Sequence, residues 1–377
     1  MPIYGSTAGT VRLGATLFFL AAAAGWAAAE TPDLCARIDR ALTHARDGRR
    51  LDAGVHGAWQ VVHGILAFGP EFPLAVDGEA VPALDHLLGG GAITGWRLRP
   101  GDRGVIAIVE EGSTTGQGHP DQWLGYLSQC GTDGIPPDTK LRVAGRDFTV
   151  KDLLTQAQAD IRPGQEATWT LMALATYLPP DAAWTSRDGA QWTTERVVQM
   201  EAENDISSSA CGGAHRLYAL ALAVKRHMAA TNTPRERLTG GWAIAADVVD
   251  DAVERAREFQ QADGSFSIHS FDRPGTSADV FAKLSATGHV FEVVVAALDD
   301  RRLAEPWVTR AADRLVTLLR GDPGAHHVRA DVAHRVGRQA ARLAVDEAAC
   351  RDAVRVAERH AGEDAPAEAR QIGRAHV

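Results

Sequence analysis

The sequence predicts a mainly α protein whose helices pair into hairpins and close into a ring. Three observations carry that expectation. Charged amphipathic helices alternate with more apolar ones along the chain. Two of the apolar members start 45 residues apart, at Glu166 and Cys211, a spacing that suits stacked helical hairpins. Those apolar helices also lack a polar face, which fits enclosure on every side better than a place in an open solenoid. The expected architecture is an α/α toroid of helical hairpins with a small β-containing cap insertion.

The chain opens on a targeting pattern. Arg12 precedes the apolar stretch "LGATLFFLAAAAGWAAA", which ends in the small-residue run Ala27-Ala28-Ala29. Residues 1–29 thus read as a signal peptide, and the protein is expected to be exported, periplasmic or extracellular. The stretch is short and Ala-rich, so a stable transmembrane anchor is not expected. With 377 residues, 45% of them hydrophobic, the chain has ample material for a large core without disulfides. The cysteines at 35, 130, 211 and 350 show no CxxC pairing. A net charge of -9 without a dense Lys/Arg cluster in the central region excludes nucleic acid as the principal partner.

The expected ring occupies residues 30–320. "TPDLCARIDRALTHAR" pairs with "LDAGVHGAWQVVHGILAFG", "TVKDLLTQAQADI" with "EATWTLMALATYL", and "TTERVVQMEAEND" with "CGGAHRLYALALAVKRH". "WAIAADVVDDAVERAREFQQ" pairs with "TGHVFEVVVAAL", and "EPWVTRAADRLVTLLR" opens a fifth pair. In each pair a charged outer helix precedes an apolar inner one. Residues 69–149 interrupt the pattern as the cap insertion. There the alternating runs of "ITGWRLRPGDRGVIAIVEEG" around Pro100-Gly101-Asp102 predict a β-hairpin. The Gly-rich "GSTTGQG" carries no P-loop lysine and is not a phosphate cradle.

Polar or reactive groups recur near the starts of the inner helices: His56, then Cys211 with His215, then His289 with Glu292. In a ring these starts converge at one end of the central cavity. Cys211 and His215 are i, i+4, and His289 and Glu292 are i, i+3, so each pair shares a helix face. Sulfur and imidazole are zinc ligands, and three protein ligands with an open fourth position is the catalytic arrangement. Cys211, His215 and His289 are the candidate ligands of a zinc cofactor. His215, His289 and Glu292 are equally candidates for acid–base catalysis, and capping or core packing is the alternative for all of them. His56, His63, which lies seven residues beyond it, His119 and Trp169 complete the candidate substrate-binding set, with packing the competing role for Trp169. Two function classes stay open: an enzyme acting on a small-molecule, lipid-like or glycan ligand, and a non-catalytic binding or scaffolding module of the cell envelope.

"FQQADGSFS" holds Gln260, Gly264 and Phe266 in the order Q-x-x-x-G-x-aromatic, which resembles the QW repeat of squalene-hopene cyclase and related terpene cyclases, and "DGAQW" at 188–192 is a degenerate second copy. The helical region also resembles the toroid of protein prenyltransferase β subunits. "SACGGAHRLYALALA", "GQGHPDQW" and "ATGHVFEVVVAAL" resemble a group of secreted bacterial proteins that share this toroid. The resemblance implies the ring fold and export. A terpene cyclase-like or polysaccharide-acting enzyme is the alternative function it implies, by fold analogy alone for the cyclase: "DVVDD" at 247–251 lacks the DxDD spacing and reads as a solvated acidic face, no DDxxD is found, and aromatic residues are only 6%. In prenyltransferase β subunits the resemblance implies zinc held by Asp, Cys and His, without the motifs that surround those ligands there.

Beyond about Gly321 the composition changes. No Phe, Trp or Tyr follows Trp307, and Arg, Ala and His dominate. The final "IGRAHV" matches one frame of a common sequencing-library adapter, so residues 321–377 are read either as a frameshifted or adapter-derived tail or as a genuine amphipathic helix.

Overall fold

A computed structural model describes residues 27–321, apart from 49, 110–117, 132 and 208. The signal-peptide reading, the Gly-rich loop and the C-terminal tail fall largely outside these residues. Among the described residues the chain is mainly helical, with 12 α-helices and four small sheets.

The chain begins with α1 (Ala27–Asp47) and the two-residue strand β1 (Leu51–Asp52). Next come α2 (Ala58–Phe68), β2 (Pro73–Val76), β3 (Glu79–Pro82) and α3 (Ala83–Leu88). The expected hairpin around Pro100 forms as β4 (Trp96–Pro100) and β5 (Val105–Val109), antiparallel with Trp96 opposite Val109. It is followed by α4 (Gln122–Leu127), β6 (Lys140–Val143), β7 (Arg146–Thr149), α5 (Val150–Asp160) and α6 (Thr168–Tyr177). The rest of the chain is β8 (Ala183–Thr185), β9 (Gln191–Thr193), α7 (Thr194–Glu203), α8 (Ala214–Thr231), α9 (Gly240–Glu258), α10 (Val280–Ala297), α11 (Asp300–Leu303) and α12 (Pro306–Gly321).

The helices fall into two layers because their apolar residues are distributed in two ways. In α7 and α9 the buried positions recur every three or four residues, leaving one charged face outside. In α6 every residue from Thr168 to Leu174 is buried, and in α10 the run from Val290 to Val295 is buried throughout. These two helices form part of the inner layer, where α4 packs on α6, α6 on α8, α8 on α10, α10 on α12, and α12 on α1. The outer helices α5, α7 and α9 lie against that row. Helix α10 is long and apolar enough to cross a membrane, yet more than half of it is buried against neighbouring helices, as in a core helix.

Three hairpins that periodicity did not predict each feed a helix directly: β2–β3 leads into α3, β6–β7 into α5, and β8–β9 into α7. Their strands have only three or four residues, too few to show alternation. The turn chemistry was the available signal: at Asp77-Gly78 both residues have positive φ, the geometry of a two-residue type I′ turn. The degenerate motif at 188–192 belongs to one of these hairpins, where Trp192 pairs across the strands with Trp184. Gln260 acts differently: its side chain donates to the carbonyls of Gly264 (3.1 Å) and Trp307 (2.8 Å), joining the end of α9 to the start of α12. The segment 69–149 holds β2 to β7, and with them α4, which belongs to the inner row through its packing on α6.

Candidate metal centre

Helix α8 is preceded by an unusual backbone. Cys211 (φ 55°), Gly212 (φ 63°) and Gly213 (φ 84°) are successive residues in the left-handed region. For the cysteine this conformation is costly, and such outliers persist only where their surroundings over-determine them. Here the surroundings do so. A Cβ on Gly213 would stand 2.3 Å from Ile206 Cγ2, and one on Gly212 2.5 Å from Ser270 Oγ, so the loop lies flat against its neighbours.

A buried ion pair pins the same loop from below. Arg216, on the first turn of α8, donates through Nε to Glu201 Oε2 (3.0 Å) and through a terminal nitrogen to the Asp205 carbonyl (3.0 Å) and to Ser209 Oγ. Glu201 is fully buried on α7 and also accepts from the Ala167 backbone N–H (2.9 Å) and the Thr168 hydroxyl (2.6 Å) at the start of α6. One carboxylate therefore fixes the N-termini of two inner helices and, through Arg216, the segment that carries Cys211. Such a role is hidden in sequence, where "VVQMEAEND" reads as an ordinary solvated outer helix.

On this support the three predicted ligands meet. One ligand atom each from Cys211, His215 and His289 all lie within 4.8 Å of one another. Zinc bonds of about 2.0–2.3 Å in tetrahedral array would set ligand atoms roughly 3.3–3.8 Å apart, a contraction that side-chain rotation supplies. The imidazoles of His215 and His289 meet edge to face, with centroids 5.2 Å apart. His289 Nδ1 lies 2.8 Å from the Ser285 carbonyl. A carbonyl only accepts, so Nδ1 carries the hydrogen and Nε2 carries the lone pair, the orientation that backbone carbonyls impose on metal-binding histidines. Cys211 is exposed, and the two histidines are half-buried.

The placement of His289 differs from the expectation in one respect. Helix α10 begins at Val280, where the Asp279 side chain caps it by accepting from Phe281 N, so His289 sits in mid-helix. It reaches the start of α8 because α8 and α10 pack side by side. Glu292 follows one turn later and is buried, but its carboxylate is not part of the group within 4.8 Å.

A file of rings extends from the triad across the inner row. Trp169 on α6 lies 4.9 Å from His215, 4.8 Å from Tyr126 and 6.1 Å from His119, centroid to centroid. Tyr126 on α4 meets His63 on α2 at 5.1 Å, and His63 meets Trp59 at 4.4 Å. The hydrogen bonds along this file have a fixed direction. The His119 backbone N–H donates to Gln122 Oε1 (3.1 Å), leaving the Gln122 amide nitrogen to donate to Tyr126 Oη (3.0 Å). His63 Nδ1 donates to the Trp59 carbonyl (2.6 Å), so its Nε2 accepts from the Tyr126 hydroxyl at 3.4 Å. The His119 side chain pairs with Glu166 at 2.9 Å. Of the predicted substrate-binding set, His63, His119 and Trp169 thus belong to one assembly. His56 stands in the turn before α2, where its Nδ1 accepts from Asp52 N (2.8 Å), and no ring contact ties it to the file. Trp169 is almost fully buried and forms part of the wall.

Asp121 is a titratable group outside the predicted site residues. It precedes α4 with φ 56°, and its Oδ2 accepts from the Thr170 hydroxyl at 2.5 Å. Burial pushes its carboxyl above the ordinary aspartate range, and the charge of Asp160 adds to that rise. The folded state then holds this proton more tightly than the unfolded chain, so stability falls as pH climbs from the ordinary aspartate range through the raised one. Asp121→Asn keeps an acceptor for Thr170 and removes that loss. The variant is expected to be more stable than the parent at neutral pH, with its advantage shrinking as pH falls toward 3; parallel melting curves that show no such convergence would refute the buried-carboxyl assignment.

No protein-family model matches the chain, and neither a curated protein nor a solved structure is similar to it.

Proposed function

We propose that this chain is an exported α/α-toroid protein with a mononuclear zinc centre, in which Cys211, His215 and His289 are the protein ligands and a fourth position is open to water or substrate. The observation that carries the reading is the convergence of three ligand atoms to within 4.8 Å from two separate helices and a strained loop. The succession α4, α6, α8, α10, α12, α1 supports the ring, because α12 returns to the first helix. Export rests on the pattern of residues 1–29.

A zinc ion with three protein ligands lowers the pKa of a bound water to near 7 and polarises a carbonyl, the chemistry of hydrolysis. In this reading the enzyme is hydrolytic, acting on a small-molecule, lipid-like or glycan substrate. The chain's own groups would orient that substrate: His119, held by Glu166, stands beside Trp169, and His63 and Tyr126 continue the polar file. A second reading follows from the exposure of Cys211 just before the 18-residue helix α8. A helix N-terminus and neighbouring imidazoles favour a thiolate, which would make Cys211 a nucleophile and the histidines its acid–base partners.

Elemental analysis of the purified chain beside a Cys211→Ala/His215→Ala double variant separates the two. About one zinc per chain, lost in the variant, together with a sulfur-to-metal charge-transfer band on cobalt substitution, supports the metal centre. No metal in either protein with folding unchanged rules it out and leaves the thiolate reading, which rapid alkylation of Cys211 at neutral pH would then test.

A further inference from the structure

A cavity of about 520 Å³ lies at the other ends of α6 and α8, and none of the triad residues lines it. Its wall is largely apolar, with Leu174, Leu178, Pro179, Ala223 and Ala230 among its residues, and Trp242 on α9 contributes an aromatic face. Four polar residues interrupt that wall: Thr176, whose hydroxyl donates to the Met172 carbonyl, and Thr194, Arg226 and His227. Two of them carry an unmet demand. Thr194 Oγ1 and His227 Nδ1 are buried atoms without a hydrogen-bond partner, a state that costs free energy unless something else supplies the bond.

The cavity lining contains Arg226 and no carboxylate. Arg226 brings a guanidinium that pairs at 4.0 Å with the exposed carboxylate of Asp133. Thr194 is the first residue of α7, whose N-terminus adds partial positive charge. Glu195, whose charge reaches His227, is turned to the N-terminus of α9, where it accepts from Gly241 N at 3.0 Å. His227 stacks on Trp242 with centroids 4.0 Å apart and planes 10° apart. Burial lowers its pKa, against the opposing charge of Glu195, so near neutral pH it offers a hydrogen bond more than a charge.

We infer that this cavity is a second ligand site, independent of the metal centre, which binds a small monocarboxylate with an apolar body. The carboxylate is recognised by Arg226 with the Thr194 hydroxyl and the His227 imidazole, and the apolar body lies along Trp242 and the α6 and α8 side chains. A guanidinium suits a carboxylate because its donors match both oxygens. An apolar chain suits the rest because the wall offers it little else to contact.

Calorimetric titration of the full-length chain with octanoate tests this, with octan-1-ol as the uncharged comparison of equal apolar length. Saturable one-to-one binding of octanoate is expected, at least tenfold tighter than octan-1-ol. Arg226→Gln should remove that tenfold preference while keeping the alcohol's affinity, and Ala230→Trp at the exposed rim should block both ligands. Absence of saturable octanoate binding overturns the inference, as does equal binding of octanoate and octan-1-ol by the parent chain. The parent comparison needs no variant, so it stands even if Arg226→Gln fails to fold. The metal content of the chain does not enter the measurement, so this inference and the zinc reading fail separately.

Discussion

Glu201→Ala is expected to lower the stability of the chain by about 3–5 kcal/mol, the usual cost of removing one partner of a buried ion pair. The cost arises mainly from what stays behind. Arg216 is 8% exposed, and without the carboxylate its guanidinium is left buried with only the Asp205 carbonyl and the Ser209 hydroxyl beside it. The Ala167 N–H and Thr168 hydroxyl at the start of α6 lose their acceptor in the same change. Urea unfolding should show a lower midpoint with an unchanged slope, because the surface exposed on unfolding is the same. The double variant Glu201→Met/Arg216→Met should regain much of this loss, since apolar side chains of similar volume often replace a buried pair without penalty. It should not regain the geometry of the loop, because the ties from Arg216 to Asp205 and Ser209 are absent. Full recovery of zinc affinity in the double variant would show that the ion pair stabilises the fold without positioning Cys211.

Much of the helical layout was legible because it rests on local periodicity. The outer helices α7 and α9 bury one face at helical spacing, and the inner ones α6 and α10 bury nearly all round, as the apolar runs suggested. The acidic run at 247–251 is the solvated face it resembled: Asp247 and Asp250 pair with Arg235, and Asp251 with Arg255, all on the surface. The site was legible in part for the same reason. Cys211 and His215 share a turn, so their proximity is written in spacing, whereas His289 joins them only through the packing of α10 on α8. The start of α10 was misplaced because "SATG" breaks the apolar run, although Asp279 as a cap gave a usable signal. Two other features had no local signature. The pairing of Glu201 with Arg216 spans two helices, and the orphaned polar atoms at Thr194 and His227 depend on what packs around them.

In the proposed zinc centre, His289→Ala is expected to weaken zinc binding by roughly a hundredfold or more, exceeding the ~10–100-fold cost of losing a supporting partner alone. The comparison that gives this meaning is Glu292→Gln. Both side chains lie on α10, one turn apart, and both are candidates by sequence; only His289 has a ligand atom in the group with Cys211 and His215. If geometry decides, Glu292→Gln keeps the zinc stoichiometry of the parent and His289→Ala does not. Stability should follow the same division, because a ligand that binds the folded chain raises its stability by an amount set by free ligand over Kd. Added zinc should therefore raise the melting temperature of the parent and of Glu292→Gln, and leave that of His289→Ala nearly unchanged at the same concentration. Equal zinc-induced shifts in all three proteins would place the metal elsewhere. A loss confined to Glu292→Gln would make the buried carboxylate the ligand and His289, held by Ser285, its neighbour in the wall.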